Sequence, residues 1–443
     1  MRAGHPTKKG SPPGGDVPEG QGQLKDPPVE TVEPNGTSNQ YLRSQPTGYT
    51  MMSSSMNATQ GNQIDLVFAM DATGSMSQYI RAAKNAIAGI TSALAGNNIK
   101  TRFGLVAYRD HKQGSSDSGY VTKTFPWTED ASAMEEQLAS DHLEATGGGD
   151  GPEAVEAGMA EVLQYDWNPN ATKMCVLIAD APPHGLGENG DFFPEGAPTG
   201  VDPIMLANEF ATKGIAVYAI ACEPTLSRSY RYASAFFADL ANRTNGRCVA
   251  LTKADTIKEL IVGGALEEVA VDSLMGKFKD LETKVRSEKP DATEAEIEDA
   301  VHEAMVKDES IDATPSLAAW DVVSPYGHAI GGHANLAEAR AALAKATPDE
   351  DSKAVFSAGG ASEEWELVEP AGGGSEAKYR SKGADRTELS ASEGVTYSRP
   401  SKGTVRKMMG KGGAGSRGYY ARSESKPYAH PTRDARGRFA RSA

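Results

Sequence analysis

Asp71, Thr73 and Ser75 stand at alternate positions in the run Asp71-Ala72-Thr73-Gly74-Ser75-Met76. One carboxylate and two hydroxyls at that spacing offer three oxygens that a loop can turn toward one point. Hard divalent cations such as Mg2+ take oxygen ligands in near-octahedral geometry. Hydroxyl ligands add no negative charge, so an ion held this way keeps net positive character and has reason to recruit a further carboxylate from outside. A lone D-x-T-x-S is weak, because Asp and Ser are common in turns. Two other stretches strengthen it. Thr146-Gly147-Gly148-Gly149-Asp150-Gly151-Pro152-Glu153 offers oxygens from Thr146, Asp150 and Glu153 among glycines that permit tight turns. In Ala179-Asp180-Ala181-Pro182-Pro183-His184-Gly185, Asp180 comes after an apolar run just as Asp71 does.

The elements that must position these residues are set by periodicity. Ile64 to Met70 has the pattern of a buried strand, and Ile80, Ala83, Ala86, Ile87, Ile90 and Leu94 mark one face of the helix after it. Strands are predicted at 101–108, 121–127 (an edge strand), 174–179, 215–221 and 248–251. Helices are predicted at 131–138, 152–163 with Pro152 in the first turn, 203–213, 230–242 and 256–269. Apolar strands alternating with helices define an α/β fold, a doubly wound and mainly parallel sheet covered on both faces. Ligands of such sheets bind outside the C-terminal ends of the strands, where all three loops fall.

Asp71-Ala72-Thr73-Gly74-Ser75 resembles the D-x-S/T-x-S signature of the metal-ion-dependent adhesion site of von Willebrand factor A-type domains, and the order of elements from Ile64 to about Val269 is similar too. The resemblance implies a Rossmann-like fold. It also implies metal ligation by Asp71, Thr73 and Ser75, by a second-loop residue, and by Asp180. Many members use Thr in the second loop. Asp150-Gly151-Pro152-Glu153 looks more like the D-A-P-E form of integrin β subunits, which favours Glu153, with Asp150 and then Thr146 behind it. A narrower likeness runs through Tyr108-Arg109-Asp110-His111, Trp127-Thr128 and Asp180-Ala181-Pro182-Pro183-His184-Gly185 to the A-domains joined to α-kinases. The low-complexity remainder does not read as a kinase domain, so kinase activity is not carried over.

The expected function is a protein-binding module in which Mg2+ (or Mn2+ or Ca2+) coordinates an Asp or Glu of a partner protein. The alternatives are a metal-dependent phosphoester hydrolase and a scaffold component of a larger assembly. A hydrolase needs a base beside the ion, for which His111 and His184 are the candidates. Otherwise these two read as partner-binding groups at the rim or as loop residues bonded locally. His328 and His333 lack a third ligand for zinc.

The expected division is a disordered arm over 1–60, the A-type domain over 61–270, a helical appendage over 271–345 and a low-complexity tail over 346–443. The arm is rich in Pro, Gly, Ser, Thr, Asn and Gln and has little to bury. In the appendage, Leu274, Phe278, Leu281 and Val285 continue a helical face. Pro290 breaks it, and Thr293 with Glu296 forms a capping box for a second helix. The tail turns basic, through Arg406, Lys407, Lys411, Arg417, Arg422, Arg436 and Arg438 with Tyr419 and Tyr420. It suits either nucleic acid or the acidic body of its own or a neighbouring chain.

With 443 residues and a net charge of −15, the chain as a whole is not drawn to nucleic acid or anionic membrane. No run reaches the length of a membrane span. Three scattered cysteines, Cys175, Cys222 and Cys248, suit packed, reduced thiols. With no secretory signal visible, the expected location is cytoplasmic, and the four N-x-Ser/Thr sequons read as chance matches.

Overall fold

The structure is a computed structural model. It describes residues 63–111, 119–140, 143–317, 320–322, 324–349 and 395–412, with the backbone of four short strands between 357 and 389. The predicted arm over 1–60 and the tail beyond 412 lie outside the described residues.

Six strands form the main sheet: β1 (Gln63–Asp71), β2 (Lys100–Tyr108), β3 (Thr122–Thr128), β4 (Thr172–Ala179), β5 (Ala216–Cys222) and β6 (Arg247–Leu251). They lie in the order β3-β2-β1-β4-β5-β6, parallel throughout except for β3, which runs antiparallel at the edge. Two short antiparallel pieces, β8 (Trp320–Asp321) and β9 (Ser357–Ala358), extend it beyond β6.

Both faces are buried, as the unbroken apolar strands require. In β1, Leu66, Phe68 and Met70 point into one core while Val67 and Ala69 point into the other. The first core is roofed by α1 (Ser77–Gly96), α2 (Ala131–Ala139) and the first half of α7 (Ile257–Glu288). The second is roofed by α3 (Val155–Leu163), α4 (Pro203–Thr212) and α6 (Ala233–Arg243). Between α4 and α6 comes the short α5 (Thr225–Ser229). Helix α3 sits so close to β2 that a Cβ on Gly158 would fall 2.6 Å from the Tyr108 ring.

The structure departs from the sequence expectations at the start of α3 and in the chain beyond β6. Pro152 does not open α3, because Glu153 is held extended in a bridge to Pro183 and the helix starts at Val155. The helix at 256–269 and the face from Leu274 to Val285 are one continuous α7, which α8 (Glu294–Lys307) folds back upon, opened by the capping box at Thr293. Residues 324–346 do not stand apart as an appendage. Their helices α9 (Gly327–Ile330) and α10 (Leu336–Leu343) place Tyr326, Ile330, Leu336, Ala339 and Leu343 in the second core. Among the described residues, no helix is long and apolar enough to cross a membrane.

Candidate metal centre

Strand order reverses at β1, whose chain continues into β2 on one side while β4 lies on the other. At such a switch point the loops diverge and leave a crevice at the strands' C-terminal ends. Asp71 closes β1 and Asp180 comes directly after β4, so both carboxylates arrive there from adjacent strands.

The three loops are stitched together by backbone hydrogen bonds. Ala72 N donates to Tyr108 O (2.8 Å), Thr146 N to Ala72 O (3.2 Å), Gly74 N to Gly147 O (3.4 Å) and Glu153 N to Pro182 O (2.9 Å). Within the first loop, Asp71 Oδ1 accepts from Thr73 N (2.8 Å) and Thr73 Oγ1 (2.6 Å). Ser75 Oγ donates to Asp180 Oδ1 (3.0 Å) and lies 3.4 Å from Thr73 Oγ1. Glu153 comes to the same place from the second loop. Its Oε1 is 3.0 Å from where a Cβ on Gly148 would stand, and Thr73 Cβ is 3.8 Å from that point. Gly148 also has φ +88, so both its backbone and the space beside Glu153 call for glycine. Thr73, Ser75, Asp150, Glu153, Tyr230 and the glycines line a cleft of about 310 Å3, and among the described residues no Lys or Arg stands in its wall.

The electrostatics are those of crowded anions. Burial, and then Asp180, push the Asp71 carboxyl up to about 7. Burial, and then Asp71 and the other nearby aspartates, push Glu153 up to about 11. Burial raises Asp180 as well. Asp71 Oδ2 and Glu153 Oε2 are buried without a hydrogen-bond partner. Buried oxygens of this kind are rare and call for an explanation such as an ion. Carboxylates and hydroxyls are also the donor set that a hard cation takes, so the residues fit such an ion.

Thr146 is exposed and lies outside that wall, although its amide ties the second loop to the first. Asp150 lines the cleft, and its Oδ2 accepts from Phe192 N (2.6 Å). Ligand atoms of Asp110, Asp150 and His184 lie within 4.8 Å of one another. Within that cluster the histidine is itself a partner of carboxylates. His184 sits between Asp110 (Nε2–Oδ1, 2.9 Å) and Asp191 (Nδ1–Oδ1, 2.8 Å). Burial works against its charged form, but the two carboxylates outweigh it and push the pKa up to about 10.

The sequence leaves two readings for His111 and His184, partner-binding groups at the rim or loop residues bonded locally. They are only 3% and 1% exposed, and His111 Nε2 meets Glu156 Oε1 at 2.6 Å. Both rings are spent on internal carboxylates, so their place is under the loops. Sequence reasoning gives no role to Asp110, Asp191, Glu156 or Tyr230. Asp110 was accessible by the rule that found Asp71, since it comes just after the end of β2. Asp191 lies in an irregular loop with no periodic signal, and it is the fold that brings Tyr230 to the cleft, where it donates to Gly151 O (2.7 Å).

An open α/β sheet with an acidic crevice at its switch point is the architecture of a ligand-binding domain. Residues 65–261 match the family model of the von Willebrand factor type A domain, and the chain carries such a domain there. Over 159 residues it is 33% identical to the α-protein kinase vwkA of Dictyostelium discoideum, a match that takes in 35% of this chain and 24% of that protein. Over 199 residues it is 26% identical to an ariadne-like RING finger protein of Acanthamoeba polyphaga mimivirus, covering 42% of this chain and 18% of that one. The match thus spans about a quarter or less of these relatives. Among solved structures it is similar to a von Willebrand factor type A protein from Catenulispora acidiphila, with 15% identity, a TM-score of 0.32, and 46% of this chain and 43% of that chain covered.

Proposed function

We propose that the chain is a cation-dependent protein-binding module. Asp71, Thr73, Ser75, Glu153 and Asp180 hold Mg2+ (or Mn2+ or Ca2+), Asp150 stands beside them, and an Asp or Glu side chain of a partner protein is the ligand. The observation that carries this reading is the pair of buried, unpartnered oxygens, Asp71 Oδ2 and Glu153 Oε2, the second of them on a residue that lines a cleft with no basic side chain among the described residues of its wall. A bound divalent ion supplies the positive charge that such a set lacks and that an incoming carboxylate seeks. The chain's own residues do the rest. The backbone bonds between loops fix the oxygens in advance, and Thr73 and Ser75 contribute oxygens without adding charge. The open cleft leaves room for a side chain to enter.

The hydrolase reading gains no support, because both candidate bases are buried and bonded to carboxylates. A cytoplasmic location belongs to the same proposal and is supported by three buried, free cysteines. The test is capture of partners by the full chain with Mg2+ and with EDTA, beside Asp180→Ala, followed by mass spectrometry. The reading predicts proteins held only by wild type and only with Mg2+. A set of captured proteins indifferent to both EDTA and the substitution would overturn it.

A further inference from the structure

Part of the basic tail folds against the body. Val395–Ser398 (β13) pairs antiparallel with β7 (Thr314–Leu317), and Lys402–Gly412 (α11) lies along α7 and α8. Val405 and Met408 are fully buried in a small core with Phe278, Val285, Val301 and Met305. The charges are matched as closely as the apolar groups. Lys407 Nζ reaches Glu267 Oε1 (2.9 Å), Tyr218 OH (2.7 Å) and Glu268. Lys411 Nζ reaches Glu268 Oε2 (2.5 Å) and Asp272 Oδ1 (2.9 Å). Further out, Arg406 pairs with Glu298 (2.7 Å) and Lys402 with Asp299 (2.6 Å). A Cβ on Gly410 would fall 1.9 Å from Asn245 Oδ1, so this turn rests directly on the loop before β6.

Three features suit this contact to ligand and receptor. First, a helix of 11 residues is too short to persist alone in water and forms by docking. Second, its anchors have the spacing of helix-in-groove recognition, Val405 with Met408 and Lys407 with Lys411. Third, the groove left by removing it is apolar at its floor and acidic along one wall. Glu268 is fully buried and Glu267 nearly so. Burial alone would raise both carboxyls, yet Lys407 with Arg247 holds Glu267 well below the usual range, and Lys407 with Lys411 lowers Glu268.

We propose that the α7–α8 groove is a second protein-binding surface, built for a basic amphipathic helix, and that Lys402–Gly412 is its tethered occupant, exchangeable with such a helix from a partner. The surface is separate from the metal centre. Asp272 accepts from Thr172 Oγ1 at the start of β4 (2.7 Å), whereas Asp180 lies just past its far end, about 25 Å away at strand rise.

The test uses the full chain with a specific protease site inserted between residues 350 and 394, cut under native conditions. The probe is a fluorescent synthetic peptide of residues 395–412, read by anisotropy. The cut chain is expected to bind the probe saturably, and the uncut chain not at all. A peptide with Lys407→Glu and Lys411→Glu should bind at least about 10-fold more weakly. In the uncut chain, the same double substitution should free the groove and let the wild-type probe bind. If that variant does not fold, Gly410→Val serves in its place. Equal binding to cut and uncut chain, or no binding to either cut chain or folded variant, would overturn the proposal. So would a dimer by light scattering that Lys407→Glu abolishes, since it would put the segment of a second copy in the groove.

Discussion

Asp71→Asn separates the metal centre from the fold without needing a partner. Asn keeps the side chain's shape and an oxygen for the Thr73 amide and hydroxyl, and removes the charge. The Asp71 carboxyl is pushed up to about 7 by burial and by Asp180, so in the ion-free chain the negative charge is a burden on the folded state. In EDTA the variant is therefore expected to be at least as stable as wild type. With a cation the order reverses. A ligand that binds only the folded state at a concentration of about 100 Kd adds about 2.7 kcal/mol. For a domain of this size each kcal/mol shifts Tm by roughly 2–4 °C, so wild type should gain about 5–10 °C with saturating Mg2+. Asp71→Asn should gain little. Scanning calorimetry in EDTA and in Mg2+, Mn2+ and Ca2+ measures all of these. A wild-type Tm that no cation moves, a variant that gains as much as wild type, or one already unfolded in EDTA would each refute the reasoning.

Glu153→Gln is expected to weaken Mg2+ binding by at least about 10-fold, while Thr146→Ala, altering an exposed side chain outside the cleft wall, leaves it nearly unchanged; calorimetric titration ranks them, and the reverse order would move the second-loop ligand to Thr146. His184→Gln removes the ring that Asp110 and Asp191 share and should cost about 3–5 kcal/mol in urea unfolding at neutral pH. Because its pKa rises from 6.5 to about 10 on folding, the charged ring's contribution is complete below about pH 6.5 and lost as pH climbs through about 10, so the gap between wild type and variant should shrink in alkali. Gly158→Ala should destabilise by about 1–3 kcal/mol through overpacking against Tyr108, with no change in Mg2+ affinity; a neutral effect on denaturant unfolding would mean that α3 has room to move.

The sheet was legible because its strands are buried on both faces, so each appears as an unbroken apolar run such as Met174 to Ala179 or Ala216 to Ala221. The chain beyond β6 was harder to read, for lack of an equally strong pattern. Leu274 to Val285 repeats at helical spacing, but a mean over one face does not say that the helix is continuous with the one before it. In α10 six of the eight residues are Ala or Leu but only two are large, and their partners come from α4 and from Gly185 and Gly196, distant in sequence. Residues 402–412 look like tail because composition counts Lys407 and Lys411 as solvated charges. Their partners Glu267, Glu268 and Asp272 lie on a helix more than a hundred residues earlier.

The candidate metal centre shows the same division between what is local and what is not. Asp71, Thr73 and Ser75 are close in sequence, and a strand end leading into a short turn nearly dictates that their oxygens converge. Asp180 is reached by one further rule, that neighbouring parallel strands end at the same edge. Glu153 obeys neither rule. Pro152 before an apolar helical run argues that Glu153 begins a helix and is aimed by it. Instead its amide is taken by Pro182 O and its neighbour's by Arg109 O, so the residue lies extended between the loops that come after β2 and β4. Tertiary hydrogen bonds, not helix geometry, thus bring its carboxylate beside Thr73. This also explains why the loop is glycine-rich. With φ +88 at Gly148 and Glu153 Oε1 3.0 Å from its missing Cβ, any side chain there would have to displace the carboxylate or strain the backbone. Gly148, one of the glycines that permit tight turns in this loop, is therefore what leaves room for the Glu153 carboxylate.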